Sequence, residues 1–213
     1  RNTGLKALLN IAPETEYVQF IDGDCELLPG WMEAAVDKLR QHPEIAVVFG
    51  RLYERAPQAS IYNQLAAQEW RTPSGEGKAC GGIALRRTQA LRSVGGYNPQ
   101  LICGEEPEMC LRLRRLNWQI HCIDADMATH DSDMHYFSEW WKRSVRGGWA
   151  IGQGLAMHGA APEQYKRIEF ISGWTWGLAI PLLAIVLAIP SKGLSLAALL
   201  AIYSLQFFKI YRN

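Results

Sequence analysis

The sequence predicts an α/β domain with a largely parallel sheet, followed by a hydrophobic C-terminal segment. In the first two thirds of the chain, short apolar runs typical of buried strands alternate with amphipathic stretches typical of helices. Of the 43 charged residues, 40 lie in residues 1–169. Only Lys192, Lys209 and Arg212 are charged in the remaining 44 residues. The polar and the apolar parts of the protein are therefore separate in sequence.

The composition excludes several classes of protein. The 22 Lys and Arg residues balance 21 Asp and Glu residues, so the chain lacks the basic excess expected of a nucleic-acid-binding protein. The apolar fraction of 48% excludes a disordered chain. The five cysteines form no C-x-x-C pair, which argues against a zinc knuckle or a disulfide framework and favours reduced cytosolic thiols. The sequence begins at Arg1 inside a helical pattern, and we expect a fragment without its true N-terminus.

The elements follow from local patterns. Leucines at helical spacing predict a first helix that ends before Pro13. The β-rich run from Tyr17 predicts a buried strand, and Pro29 is suited to the first turn of the next helix. Gly95-Gly96 ends a short helix that starts at Thr88. The further strands are predicted over Ile45–Phe49, Gly81–Leu85 and Trp118–Ile123, and the further helices over Ala59–Trp70 and Glu105–Arg115.

The C-terminal segment has the length of a membrane hairpin. Phe170–Ser191 is 22 residues without a charge, and Gly193–Phe208 is 16 more. Because a spanning helix needs roughly 20 apolar residues, we predict transmembrane helices at about 170–190 and 193–210. Glycines and prolines such as Gly177 and Pro181 leave an interfacial or re-entrant helix open for the first segment.

A basic and aromatic segment precedes this hairpin. We divide the chain into a catalytic domain over 1–135, this interface segment over 136–169 and the membrane part over 170–213. Aromatic and basic side chains together suit a lipid interface. Four basic residues flank the outer ends of the hairpin and one lies in its turn, so the positive-inside rule predicts an inner or plasma membrane protein with a cytoplasmic catalytic domain.

Six of the seven aspartates occur in D-x-D pairs, so the pattern alone is a weak signal. Asp22 and Asp24 differ because they follow a predicted buried strand, at the sheet edge where α/β folds bind ligands. Two carboxylates there can hold Mg²⁺ or Mn²⁺ against a diphosphate. The alternative is an Asx turn that caps the next helix.

Other acids and histidines are candidates for a role in cation binding or proton exchange. The helix that starts at Glu105 carries Glu106 and Glu108 in its first turn. One or two acids stabilise a helix N-terminus, but three repel one another and suggest a site that exchanges a cation or a proton. His130 follows a predicted strand and precedes an aspartate, which favours a metal role, and His135 is its competitor.

Taken in order, these segments resemble family 2 glycosyltransferases of the GT-A fold. The resemblance covers residues 1 to about 150. It is carried by the strand before Asp22-Gly23-Asp24 and by four later segments. These segments are Gly81-Gly82, Arg86-Arg87, Val94–Tyr97 and Gly104–Leu113. It implies a Rossmann-like fold, a nucleotide-sugar donor and a divalent cation.

The resemblance also implies roles for single residues. Asp24 would bind the metal with His130 as a further ligand, and Asp22 would lie near the ribose or the sugar. Glu106 would be the catalytic base, with Glu105 as its rival. The other expected positions are Arg1 at the nucleotide base, Arg143 and Arg146 at the donor phosphates, and Gly81, Gly82, Glu105, Trp140 and Trp141 at the acceptor.

These roles predict an inverting transferase that acts on a hydroxyl acceptor, either lipid-linked or an envelope glycan. The Gln-x-x-Arg-Trp signature of processive synthases is missing from the segment around Arg143, which favours addition of a single sugar. Two alternatives stay open. One is a metal-dependent phospho- or nucleotidyltransferase, and the other is a membrane interaction module with a degenerate site.

Overall fold

The computed structural model describes residues 1–160 and 162–212, with the side chains described up to residue 209. The chain divides into two compact units, Arg1–Ala150 and Ile151–Asn213. The first unit holds all of the strands described below. The second unit is helical.

The first unit follows the predicted alternation of helices and strands. The helices are α1 (Asn2–Ile11), α2 (Trp31–Gln41), α3 (Ile61–Glu69), α4 (Thr88–Ser93), α5 (Glu105–Arg115) and α6 (Phe137–His158), the last of which continues past residue 150. The strands are β1 (Tyr17–Phe20), β2 (Cys25–Leu27), β3 (Ile45–Glu54), β4 (Gly75–Glu76), β5 (Ala84–Arg87) and β6 (Gln119–His130). β2 and β4 were not predicted, because two or three residues are too few to show a periodicity.

The strands form one mixed sheet in the order β1-β5-β3-β6-β2, with β4 also paired to β6. The prediction of a mostly parallel sheet was wrong for the described residues, where β3 and β6 form the only parallel pair. β4 pairs antiparallel with β6, so the chain has already reversed its direction relative to β3 and β6 before it enters β5. Alternation of elements in a sequence does not reveal such a reversal.

The core lies between the sheet and its helices. β3 begins with five buried residues, Ile45–Phe49, as expected for a strand covered on both faces. Helix α2 buries Trp31, Ala35 and Leu39, and the Trp31 indole nitrogen donates to Gln19 Oε1 at 3.0 Å. Burial of each large apolar side chain contributes about 1.5–3 kcal/mol, which fixes these elements against each other.

β6 extends well beyond the predicted end at Ile123. Its last part pairs with β2 in antiparallel register, with Cys25 opposite His130. His130 is therefore the last residue of a strand, whereas the sequence placed it after a short connection. Asp124 and Asp126 also lie within this strand.

The second unit contains a helical hairpin. Its first arm runs through α7 (Arg167–Trp174), a π-helical stretch (Thr175–Ala179) and α8 (Ile180–Val186), and its second arm is α9 (Leu194–Arg212). Pro181 has no N–H to donate, which accounts for the irregular stretch before it. The arms touch where Ser195 Oγ donates to the Ala184 carbonyl at 2.7 Å and where the rings of Trp176 and Tyr203 meet edge to face.

In the described chain, one helix, Arg167–Val186, is long and apolar enough to cross a membrane. The helix Leu194–Lys209 is apolar but shorter. Large apolar side chains on both arms face outward, and Ala184 is the one buried residue among those described in the hairpin. Whether the hairpin spans a bilayer stays a prediction.

Candidate active site

Asp22 and Asp24 lie in the tight turn that joins β1 to β2. The amide of Cys25 donates to the Asp22 carbonyl at 3.1 Å, which closes the turn. Pairing of β2 with the end of β6 then brings Asp24 beside His130, and Asp24 Oδ2 lies 3.4 Å from His130 Nε2. Residues more than a hundred positions apart thus meet at one edge of the sheet.

The Asp24 group has the chemistry of a divalent-cation site. Ligand atoms of Asp24, Cys25 and His130 lie within 4.8 Å of one another. A carboxylate suits Mg²⁺ and Mn²⁺, and an imidazole is a common ligand of transition metals. The Cys25 thiol donates to Asp24 Oδ1 at 3.3 Å, and its pKa is raised to about 12 by burial and by that hydrogen bond. Asp24 and His130 are therefore the ligands of this group that do not need to lose a thiol proton.

The competitor His135 is engaged elsewhere. Its Nε2 lies 2.9 Å from Asp133 Oδ1, and the pair is exposed to solvent. The His130 ring, in contrast, is held edge to face against Trp70 with ring centroids 4.5 Å apart. Of the two histidines, His130 is the one that lies beside Asp24 of the candidate site.

Helix α6 supplies a basic wall opposite this group. A cavity of about 480 Å³ is lined by Asp24 and His130 on one side and by Lys142, Arg143 and Arg146 on the other. Residues spaced by three and four positions share a helix face, which places these three cations together. Arg143 forms an ion pair with Glu69 at 2.7 Å, while Lys142 and Arg146 have no ion-pair partner among the described residues.

Arg1 lies among three acids of the predicted site. Its guanidinium forms ion pairs with Asp22 Oδ1 at 2.6 Å, with Glu105 Oε1 at 3.1 Å and with Glu106. The first turn of α5 and the D-x-D turn are therefore adjacent. The Glu106 side chain is 11% exposed and that of Glu105 is 30% exposed, so Glu106 is the more enclosed of the two.

The third acid of this helix, Glu108, has a structural partner. Its carboxylate receives hydrogen bonds from Arg112 at 2.8–3.0 Å, and Arg112 also donates to the Gly96 carbonyl at 2.8 Å. Glu108 thus ties α5 to the turn after α4. Of the three acids, Glu105 and Glu106 therefore lie at the candidate site, and Glu108 belongs to the scaffold.

Gly81 and Gly82 lie on the other side of Asp22. With Asp22 and His130 they line a second cavity, of about 330 Å³. A Cβ on Gly82 would lie 2.9 Å from Asp22 Cγ and 3.0 Å from Arg1 Nη2, whereas a Cβ on Gly81 would meet nothing within 4 Å. Gly82 is therefore needed for the close approach of Asp22, and Gly81 is not.

The predicted aromatic residues of α6 lie outside these cavities. Trp140 stacks on Tyr62 at 6.3 Å, and both Trp140 and Trp141 contact Phe137. Neither tryptophan is among the residues that line the two cavities. Their place at an acceptor stays a prediction.

Two residues near the site had no assigned role in the sequence. Trp70 lines the cavity of about 330 Å³ and a neighbouring one of about 460 Å³. Arg86 is fully buried, and its guanidinium donates to the carbonyls of Gly81 and Gly82 at 3.0 and 3.3 Å. Arg86 belongs to a segment that carries the family resemblance, but no role was predicted for it, because a buried Arg looks like an exposed one in sequence, as an isolated Trp does.

Known structures share this fold. The chain superposes over its whole length on a mannosyltransferase, PcManGT from Pyrobaculum calidifontis in complex with GDP-Man and Mn2+, with a TM-score of 0.61 and 19% identity. Weaker likenesses are to two crystal structures of TarS from S. aureus, with TM-scores of 0.46 and 0.49, identities of 16% and 15%, and coverage of 77% and 82% of this chain. The chain therefore has a glycosyltransferase fold.

The matched structures are longer than this chain. The chain spans 61% of the mannosyltransferase structure and 45% and 30% of the two TarS structures. A scan against protein-family models gives no match, and neither does a comparison with curated proteins. The likeness thus concerns the fold, and the activity has to be argued from the site.

Proposed function

We propose that this chain belongs to a membrane-anchored, inverting glycosyltransferase of the family 2 type. It transfers a sugar from a nucleoside-diphosphate donor to a hydroxyl group of a glycan or lipid-linked acceptor, with Mn²⁺ or Mg²⁺ as cofactor. The proposal rests above all on the cavity between Asp24, His130 and the basic face of α6.

The charge pattern of that cavity favours a metal–diphosphate pair. Asp24 would repel a phosphate that arrived alone, and Lys142, Arg143 and Arg146 would repel a cation that arrived alone. A cation beside Asp24 and His130, with a diphosphate between it and the basic face, compensates the charges on both sides of the cavity. When bound, the metal neutralises charge on the departing diphosphate.

Arg143 and Arg146 have planar guanidinium groups that can each bind phosphate through two hydrogen bonds. Arg146 is available in the described structure, whereas Arg143 has to exchange its ion pair with Glu69 for a phosphate. Asp22, held against Gly82, can accept hydrogen bonds from donor hydroxyl groups. The structure favours a role for Arg1 in positioning the acids, because its guanidinium contacts carboxylates.

Glu106 is the proposed base. Its carboxylate takes the proton of the acceptor hydroxyl as that oxygen bonds to the anomeric carbon, and the bond from this carbon to the diphosphate oxygen breaks on the opposite face. One displacement inverts the configuration at the anomeric carbon. The Arg1 guanidinium orients the Glu106 carboxylate, and Glu105 holds Arg1 from its other side.

Membrane anchoring by the hairpin is part of the proposal. Arg167–Val186 has the length of a span, and the apolar side chains of both arms face outward. Basic residues at the outer ends favour a cytoplasmic catalytic unit. The test is labelling of a Lys192→Cys chain in intact cells with a membrane-impermeant maleimide. We expect modification from the outside, and labelling only after lysis would contradict this orientation.

The activity is tested with doubly labelled donors. The full chain in membranes is incubated with nucleotide sugars that carry ¹⁴C in the sugar and ³²P in the β-phosphate, with and without Mn²⁺. GDP-mannose is the first donor to try, because the mannosyltransferase of similar fold was solved with it. Metal-dependent transfer of ¹⁴C without ³²P supports the proposal. Transfer of ³²P would favour a phosphotransferase, and no metal-dependent donor binding would favour a non-catalytic module.

A further inference from the structure

Two buried cysteines lie side by side beneath the candidate site. Cys80 lies between β4 and β5, and Cys110 lies in the middle of α5. Their Sγ atoms are 3.6 Å apart, and the residues are 6% and 0% exposed. Thirty residues separate them in sequence, so only the packing of α5 against this segment brings them together.

A buried cation without an acidic partner adjoins the pair. The Arg86 guanidinium donates to Cys80 Sγ at 3.5 Å, and its other partners are backbone carbonyls and the rings of Phe20 and Tyr97. No carboxylate forms an ion pair with Arg86 in the described part of the chain. A buried charge needs compensation, and a thiolate on Cys80 would provide it.

The two thiols differ in acidity. The hydrogen bond from Cys110 and the charge of Arg86 lower the pKa of Cys80, whereas donating that bond raises the pKa of Cys110. The thiolate is the nucleophilic form of a cysteine sulfur. Of the two thiols in contact, Cys80 is therefore the more acidic one.

Small molecules have a route to Cys80. The residue lines the cavity of about 330 Å³ that also contains Asp22, Gly81 and His130. A peroxide of about the size of water fits such a space. Cys110 does not line this cavity, so it can be reached only through Cys80.

We propose that Cys80 and Cys110 form a peroxide-sensitive site in which Cys80 is oxidised first and Cys110 resolves it to a disulfide. The Cys80 sulfur attacks one oxygen of hydrogen peroxide, so an S–O bond forms, the O–O bond breaks and the released hydroxide becomes water. The Cys110 sulfur then attacks the Cys80 sulfur, its proton leaves with the hydroxyl group as a second water, and an S–S bond replaces the S–O bond. Two thiols are oxidised and one peroxide is reduced.

The disulfide would form next to the candidate site. A disulfide bond is about 2.05 Å long, so the sulfur atoms have to approach by about 1.5 Å. The segment with Cys80 continues into Gly81 and Gly82, and Gly82 packs against Asp22. Oxidation therefore places a covalent link two residues from the glycine that supports Asp22. The chemistry itself does not depend on the proposed function.

The test uses mass spectrometry of the full chain in detergent. The reduced protein is treated with hydrogen peroxide at pH 7, unfolded and alkylated with N-ethylmaleimide. We expect three alkylated cysteines instead of five, a peptide in which Cys80 is linked to Cys110, and recovery of five thiols after dithiothreitol. Oxidation of Cys80 should be at least about tenfold faster than that of the buried Cys122, whose pKa is raised by burial.

Variants separate the two roles. In Cys110→Ala, Cys80 should accumulate as a sulfenic acid that dimedone traps, and in Cys80→Ala, Cys110 should stay reduced. Cys122→Ala is the matched control and should form the disulfide as the native chain does. Five free thiols after peroxide, or a disulfide between other cysteines, would overturn the proposal. The peptide map of the native chain decides the question even if a variant fails to fold.

Discussion

The two D-x-D pairs at Asp22–Asp24 and Asp124–Asp126 have the same pattern in different surroundings. Exposure does not distinguish the two pairs, since the side chains of Asp24 and Asp126 are 52% and 50% exposed. The pairs differ in the residues that contact them. Asp24 faces His130 and a cavity with basic walls, whereas Asp126 accepts hydrogen bonds from Tyr53 and Arg51 on the surface of β6.

The difference lies in what remains for a ligand. Asp124 and Asp126 both form ion pairs with the same arginine, Arg51, and no histidine or cysteine joins them in a metal-binding group of the described residues. Asp22 pairs with Arg1, whereas Asp24 faces the imidazole of His130. A site is thus recognised by the neighbours that other elements bring to it.

The largest effect is expected when Asp24, the proposed metal ligand of the first pair, is replaced. Asp24→Asn should lower kcat/KM by about 10⁴-fold, because a metal contributes several kcal/mol of charge stabilisation. Asp126→Asn is the matched control and should stay within about twofold of the native value. Initial rates at limiting donor measure kcat/KM of both variants, and calorimetry measures their donor binding with and without Mn²⁺. Equal losses in the two variants would contradict the distinction between the pairs.

The next effect concerns the acid beside the first pair. Glu106→Gln should lower kcat by about 10³-fold with nearly unchanged donor affinity, since general base catalysis contributes about 10²–10⁴-fold. Glu105→Gln should cost far less. Turnover and donor binding of both variants give the measurement. A larger loss in Glu105→Gln than in Glu106→Gln would move the base to Glu105.

A smaller effect tests the support of Asp22. Gly82→Ala forces Asp22 away from its position and should reduce kcat/KM by about 10–100-fold, because a displacement of about 1 Å can cost a hundredfold. Gly81→Ala has open space and should be nearly neutral. Initial rates at limiting donor compare the two. Comparable activity of both variants would exclude the packing argument.

The smallest expected effect on activity concerns the second pair, Asp124 and Asp126. Hydrogen bonds from Tyr53 and Arg51 lower the pKa of Asp126. Tyr53→Phe should raise it toward the usual carboxyl value, while activity stays within about twofold. The lowered pKa stabilises the fold above the usual carboxyl pKa, and this contribution disappears as the pH falls through the pKa of the folded state. Carboxyl ¹³C NMR titration measures the shift, and an unchanged pKa would contradict the role of Tyr53.

Local patterns predicted much of the scaffold. The α5 bounds, Glu105–Arg115, match the structure, and β1 and α2 begin near their predicted positions. These elements have strong helical or strand periodicity or clear boundary residues. β2 was missed because it is three residues long, and the end of β6 was missed because polar residues such as Asp124 and Asp126 interrupt its apolar pattern.

The same two strands decide the candidate metal group. Without the antiparallel pairing of β2 with the end of β6, His130 would not lie opposite Cys25 or beside Asp24. The sequence favoured His130 over His135 for the metal role but could not show which histidine lies beside Asp24. That proximity depends on a strand register, which is set by packing across the whole sheet.

The sequence by itself determined the alternation of helices and strands, the balance of charge, the separation of a polar part from an apolar one, and the set of acids to consider. These properties depend on neighbours in the chain. The tertiary structure decided the direction of β5, the assignment of Glu108 to the scaffold, the burial of Arg86 and the contact of Cys80 with Cys110. Each of these depends on groups 4 to about 100 residues apart that approach one another only when the elements pack, because hydrogen bonds and ion pairs act over a few ångströms in space and not along the sequence.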